Sequence, residues 1–95
     1  MSINKSLQKE LVLQNTNGLH VRPASIFVQT ALTFESDIKV ENMSSRQSSD
    51  GKSVMGMLML AAPKGTTLRI EICGADCEAA MAALEELITR GFDEE

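Results

Sequence analysis

The chain has 95 residues, a formal net charge of −4, and 43% apolar residues. This size predicts a single domain spanning residues 1–95, and the apolar content is too high for a disordered chain. The acidic charge and the lack of Trp and Tyr argue against a nucleic-acid partner, because phosphate backbones need clustered basic residues and unpaired bases need aromatic platforms.

The first predicted element is a strand over residues 7–14, where leucines alternate with polar side chains, followed by a turn at 15–18. A helix follows that begins close to Pro23, because proline suits a first helical turn and disfavours the α conformation in the preceding Arg22. The helix has one apolar face, spaced i, i+3, i+4 and i+7, formed by Ala24, Phe27, Val28 and Ala31.

The middle of the chain predicts a strand, a loop and a short helix. Residues 36–42 alternate apolar and charged side chains, which is typical of a strand with one wet face. Residues 43–51 are polar and turn-rich and have room for a short edge strand. Residues 52–62 are apolar on nearly every side and predict a short helix with Ser53 near its N-cap.

The last third predicts a strand over 66–73 and a helix over 75–91. Asp76 can cap this helix and Gly91 can close it, and its inner stripe comprises Cys77, Ala80, Met81, Leu84 and Leu87. We expect the tail after Gly91 to be frayed. The resulting order, β-α-β-(β)-α-β-α, favours an α+β domain whose antiparallel sheet carries the helices on one face.

The cysteines and the longest apolar runs bear on location. Cys73 and Cys77 are too few for a disulfide scaffold, and we interpret them as buried, inert thiols. No run approaches the roughly 18 apolar residues of a membrane span, and the N-terminal segment lacks the apolar core of a secretory signal. We therefore expect a cytoplasmic protein without membrane insertion.

His20 is the only histidine, and it lies at the start of the first helix, two residues before Arg22. The first N–H groups of a helix have no internal partner, and the helix dipole places about half a positive charge there, so an anion finds aligned donors. Imidazole is nucleophilic near neutral pH and can hold a phosphoryl group, to whose oxygens the Arg22 guanidinium is matched. From spacing alone, a helix cap or a surface histidine is commoner. General acid–base catalysis is disfavoured, because no second acid or base lies nearby in sequence.

Three segments together resemble one family. "NGLHVRPAS" (17–25) resembles the active-site segment of the HPr family, the histidine-containing phosphocarriers of the bacterial phosphoenolpyruvate-dependent phosphotransferase system. "GKSVMGMLMLAAPKG" (51–65) is similar to that family's second helix, and "LRIEICGADCEAAMAALEELI" (68–88) to its last strand and helix. The resemblance implies an ordered core of about residues 7–90 and an HPr-like open-faced sandwich, with a four-stranded antiparallel sheet and three helices on one face.

The resemblance also implies roles for individual residues. His20 would be phosphorylated on Nδ1, Arg22 would stabilise the phosphoryl group, and Pro23 would fix the helix start, assisted by backbone N–H groups after it. Ser53 matches a serine that a dedicated kinase modifies in some bacteria, although a serine at that position is usually only a helix cap. The partner-binding residues would be Ser25, Val54, Met55 and Leu58, while Met57 and Leu60 face the core.

We therefore expect a phosphocarrier that accepts a phosphoryl group from phosphorylated enzyme I and passes it to enzyme IIA domains. It would be a monomer and a carrier intermediate rather than an enzyme, with no metal or cofactor, and an HPr serine kinase/phosphorylase would be a further partner. One alternative is a regulatory or nitrogen-branch homologue that signals by protein binding. Another is a small metal or redox protein using Cys73 and Cys77, for which a C-x₃-C pair is a weak signal.

Overall fold

The computed structural model describes residues 5–94 and forms a two-layer α+β sandwich. Four strands make one antiparallel sheet in the order β1-β4-β2-β3, and three helices cover one of its faces. This confirms the predicted fold class; residues 1–4 and 95 of the expected domain lie outside the described residues. The elements are β1 (Ser6–Val12), α1 (Val21–Ala31), β2 (Asp37–Asn42), β3 (Ser48–Asp50), α2 (Val54–Met59), β4 (Thr67–Cys73), α3 (Cys77–Thr89) and a C-terminal 3-10 turn (Gly91–Asp93).

The apolar periodicities correctly predicted which faces are buried. In β4, a central strand, Leu68, Ile70 and Ile72 are all fully buried against the helices. The predicted apolar faces of α1 and α3 are likewise buried and meet this strand surface in one core. Burying apolar area is the main driving force for folding, so these stripes determine how each helix is seated on the sheet.

The start of α1 differs from the prediction. The helix begins at Val21, with His20 as its N-cap residue, and its first intrahelical hydrogen bond runs from the N–H of Ala24 to the carbonyl of His20 at 3.0 Å. Pro23 therefore occupies the third helical position, where its missing N–H costs no hydrogen bond because that position has no partner anyway. Arg22 is inside the helix rather than in an extended lead-in.

The second helix is shorter than predicted, spanning Val54–Met59 rather than residues 52–62. Ser53 is its N-cap, as expected, and its Oγ accepts a hydrogen bond from the N–H of Gly56 at 3.0 Å. Beyond the C-cap Leu60, Ala61 takes a left-handed conformation with φ of 48°, which ends the helix in the way that glycine commonly does.

Two further expectations near α3 were wrong. Asp76 holds the N-cap position but its side chain does not cap α3; instead its carboxylate accepts hydrogen bonds from the N–H groups of Glu35 and Ser36 and from the Ser36 hydroxyl. The tail is not frayed through residue 94, because Phe92 is only 2% exposed and anchors the C-terminal turn.

The polar loop does contain the short edge strand β3, which pairs with β2.

Candidate functional site

His20 lies at the N-terminal end of α1 with its ring at the surface. Its backbone is extended (φ −89°, ψ −169°), and its side chain makes no capping hydrogen bond to the helix. The side chain is 39% exposed, so part of the ring is accessible to solvent. The ring is thus at the surface and is not used as a helix cap, which removes one of the two commoner explanations for a histidine at this position.

The first turn of α1 supplies positive charge and hydrogen-bond donors beside His20. Within residues 5–94, no hydrogen-bond partner is found for the N–H groups of Val21 and Arg22, as expected for the first residues of a helix. The N–H after Pro23 is not available, since Ala24 donates to the His20 carbonyl. The free donors therefore precede Pro23, which corrects the expectation that they follow it.

The remaining predicted residues of α1 also flank this end. The Arg22 side chain is exposed, and Pro23 is buried against the core, which fixes the first turn. Ser25 is half-buried. Arg22 and the helix terminus together make this an electropositive surface suited to an anion.

Two residues near the ring were missed by the sequence reasoning. Glu94 Oε1 lies 3.0 Å from His20 Nε2 and 3.0 Å from Asn15 Nδ2. Asn15 is 1% exposed, and its Nδ2 also donates to the Gly18 carbonyl at 2.6 Å. The hydrogen bond from His20 is the largest cause that lowers the pKa of Glu94. Burial opposes it, and the hydrogen bond from Asn15 and the positive charge of Arg22 lower the pKa further. The sequence did contain one signal for this contact: Phe92, directly after the helix-closing Gly91, is a large apolar residue that favours packing of the tail against the domain.

A small groove of about 230 Å³ opens beside the ring. Its walls come from the loop before α1 and from the segment after α2, namely Asn17, Leu19, His20, Ala61, Ala62 and Pro63. The two segments are joined by a hydrogen bond from the Leu19 N–H to the Ala62 carbonyl at 2.9 Å. This bond holds the end of α2 next to His20.

The exposed side of α2 is apolar. Met55 is 71% exposed and Met59 is 70% exposed, while Val54 and Leu58 are half-buried. Met57 and Leu60 are buried, as expected. We call the surface formed by Val54, Met55, Leu58 and Met59 the α2 patch; its C-terminal end lies toward the groove beside His20.

The cysteines differ in part from the prediction. Cys77 is buried and free, but Cys73 is half-exposed at the end of β4. Within residues 5–94, no cluster of three or more His, Cys, Asp or Glu side chains has the arrangement of a metal site. None of the helices formed by these residues is long and apolar enough to cross a membrane.

Comparisons with known proteins agree with this geometry. The family model described as "PTS HPr component phosphorylation site" matches residues 7–90. The chain belongs to the HPr family. The phosphocarrier protein HPr of Neisseria meningitidis serogroup B is 44% identical over 88 residues, covering 93% of this chain and 97% of that protein. A multiphosphoryl transfer protein of Escherichia coli O157:H7 is 38% identical over 89 residues, covering 93% of this chain and 24% of that protein.

Solved structures of HPr proteins share the fold. The crystal structure of HPr-C-His from Thermoanaerobacter tengcongensis matches with a TM-score of 0.87 and 38% identity, covering 94% of this chain and 98% of that one. A second structure from the same organism, described as an HPr dimer, matches with a TM-score of 0.71 and 40% identity, covering 84% of this chain and 90% of that one.

Proposed function

We propose that this HPr family member carries a phosphoryl group on Nδ1 of His20. It receives the group from the phosphohistidine of enzyme I, which obtained it from phosphoenolpyruvate, and passes it to an enzyme IIA domain. The carrier acts in the cytoplasm as a monomer, needs no cofactor, and is regenerated in each cycle. The single observation that carries this proposal is the exposed ring of His20 at the open N-terminal end of α1.

The physical basis is stabilisation of the phosphoryl charge without burial. The free N–H groups of Val21 and Arg22 and the positive end of α1 would stabilise an anion bound at the ring. The guanidinium of Arg22 adds a permanent charge with a donor geometry that suits phosphate oxygens. Since the site stays open to solvent, the phosphoryl group remains accessible to the next acceptor.

The test is incubation with phosphoenolpyruvate and enzyme I, followed by mass spectrometry under neutral and acidic conditions. We expect one acid-labile phosphoryl adduct on the wild-type protein and none on His20→Ala. Arg22→Ala should slow uptake about tenfold, which corresponds to a loss of about 1.4 kcal/mol in the transition state. Arg46→Ala, which removes an exposed arginine from the loop between β2 and β3, serves as the matched control and should leave the rate unchanged. An adduct that persists in His20→Ala would falsify the assignment.

We propose that the α2 patch docks the phosphoryl donor and acceptor. Methionine side chains are flexible and polarisable, which suits a surface that must fit several partners in turn. Docking through a small apolar surface should be weak and quickly reversible, as turnover of a carrier requires. Met55→Ala should raise the KM for the carrier protein in the enzyme I reaction several-fold, with little effect on its melting temperature because Met55 is exposed. An unchanged KM would contradict the assignment of this surface.

We propose further that a dedicated serine kinase/phosphorylase regulates docking at Ser53. A phosphate on Ser53 Oγ would sit at the N-terminus of α2 and add roughly two negative charges beside the α2 patch. Lys52 is poorly placed to neutralise them, because its Nζ donates to the Phe34 carbonyl at 2.8 Å. Ser53→Asp should therefore weaken docking, measured by titration against enzyme I, whereas Ser53→Ala should dock normally. Equal affinities would remove the support for this regulation.

A further inference from the structure

The chain reverses direction after α3 and returns to the loop before α1. Gly91, Phe92 and Asp93 all take left-handed conformations, with φ of 62°, 55° and 60°. The turn is held by a hydrogen bond from the Glu94 N–H to the Gly91 carbonyl at 2.9 Å and by the buried ring of Phe92. A phenylalanine rarely adopts this conformation. Burial of the Phe92 ring therefore stabilises the left-handed backbone, and this packing sets the position of residue 94.

This turn brings the Glu94 carboxylate to the Nε2 edge of His20. The Glu94 side chain is 14% exposed, and its Oε1 lies 3.0 Å from both His20 Nε2 and Asn15 Nδ2. The pKa of Glu94 is lowered, chiefly by the hydrogen bond from His20, so the carboxylate is ionised at neutral pH. An ionised carboxylate can only accept hydrogen bonds, and the proton between the two groups must therefore be on Nε2.

We propose that Glu94 is a positioning residue for phosphoryl transfer. By accepting the Nε2–H it selects the neutral tautomer whose lone pair is on Nδ1, and it holds the ring so that this atom is free to attack. Glu94 lies outside residues 7–90, the span matched by the family model. The inference rests on the proposed carrier function, which it deepens by naming the group that prepares the nucleophile.

The transfer step balances with this arrangement. The Nδ1 lone pair of His20 forms a bond to phosphorus while the phosphorus–nitrogen bond of the donor phosphohistidine breaks, and that electron pair returns to the donor ring. The His20 ring gains the positive charge that the protonated donor ring loses. Glu94 keeps its hydrogen bond to Nε2–H throughout, and its negative charge then faces the positive ring.

The experiment compares Glu94→Ala, Glu94→Gln and Asp93→Asn by ¹⁵N NMR of the histidine ring and by the rate of phosphoryl uptake from enzyme I. Glu94→Ala removes the acceptor, so the ring signals should move toward those of a tautomer mixture and the rate should fall about fivefold, in the range expected of one partly exposed charge-assisted hydrogen bond. Glu94→Gln keeps an acceptor oxygen without the charge. Its ring signals and its uptake rate should therefore lie between those of wild type and Glu94→Ala. Asp93→Asn removes the same charge one residue away, where the side chain binds Arg90 instead, and should behave as wild type.

The two measurements separate this inference from the carrier function. The NMR signals are recorded without any phosphoryl donor, so they test the hydrogen bond even in a protein that accepts no phosphate. If wild type is phosphorylated at His20 but Glu94→Ala leaves both the ring signals and the uptake rate unchanged, Glu94 has no positioning role and the carrier function stands. An equal change in Asp93→Asn would likewise overturn the proposal, because the effect would then come from charge in general.

Discussion

Gly18 and Gly65 form a matched pair for testing how tightly the His20 loop is packed. Both have positive φ, 64° and 89°, so alanine is strained at either position. This left-handed strain costs roughly 1–2 kcal/mol. A Cβ at Gly65 would meet nothing within 4 Å, whereas a Cβ at Gly18 would collide with the Ala62 carbonyl oxygen and lie 2.7 Å from Cα of Pro63. Overpacking adds about 1–3 kcal/mol, so Gly18→Ala should be less stable than Gly65→Ala by that amount.

The assay is urea unfolding followed by far-UV circular dichroism, because the chain has no Trp or Tyr for fluorescence. With a slope of about 1 kcal/mol per molar urea for a small domain, the two midpoints should differ by about 1–3 M. Gly18→Ala should also perturb the ¹H–¹⁵N signals of residues 19–22, 61 and 62, and Gly65→Ala should not. Equal midpoints for the two variants would refute the close contact between the His20 loop and the segment after α2.

Three further predictions concern the stability of the fold and of its C-terminal turn. The hydrogen bond from the Ser36 hydroxyl, followed by that from the Glu35 N–H, lowers the pKa of Asp76. The ionised Asp76 therefore stabilises the folded state above about pH 4, and this stabilisation is lost as pH falls through the folded-state pKa. Asp76→Asn should flatten the acid limb of a plot of melting temperature against pH. Phe92→Ala should lower the free energy of unfolding in urea by about 3 kcal/mol. It should also change the ring ¹⁵N signals of the histidine, because the C-terminal turn positions Glu94 beside the ring. Ser53→Ala should cost about 1 kcal/mol through loss of the helix cap, measured in the same titration.

The sequence predicted the sheet and the helix faces well, because these follow from periodicity. The alternation in β4 and the spacing of Phe27 and Val28 in α1 allow few other arrangements once one face must be buried. His20 and Arg22 were predicted as site residues for a different reason: a histidine and an arginine at a proline-marked helix start form a local pattern.

The missed features depend on contacts between distant parts of the chain. Ala61 and Phe92 adopt left-handed backbones that their residue types disfavour, so local propensity gave the wrong end for α2 and the wrong state for the tail. The hydrogen bond between Asn15 and Glu94 spans 79 positions in sequence. Only packing of the whole domain brings such side chains together, and no short motif records it.

The hydrogen bond between Leu19 and Ala62 has a consequence for the proposed docking of partners. It joins the backbone next to His20 to the segment after α2, so it limits the relative movement of the α2 patch and the imidazole ring. Under the proposed docking mode, a partner bound to Met55 and Met59 would find the ring at a fixed offset, and the entropy of aligning the two reacting groups would be lost at docking rather than at the chemical step. Partner binding and phosphoryl transfer would therefore be coupled, and a change at residues 61–63 should alter both.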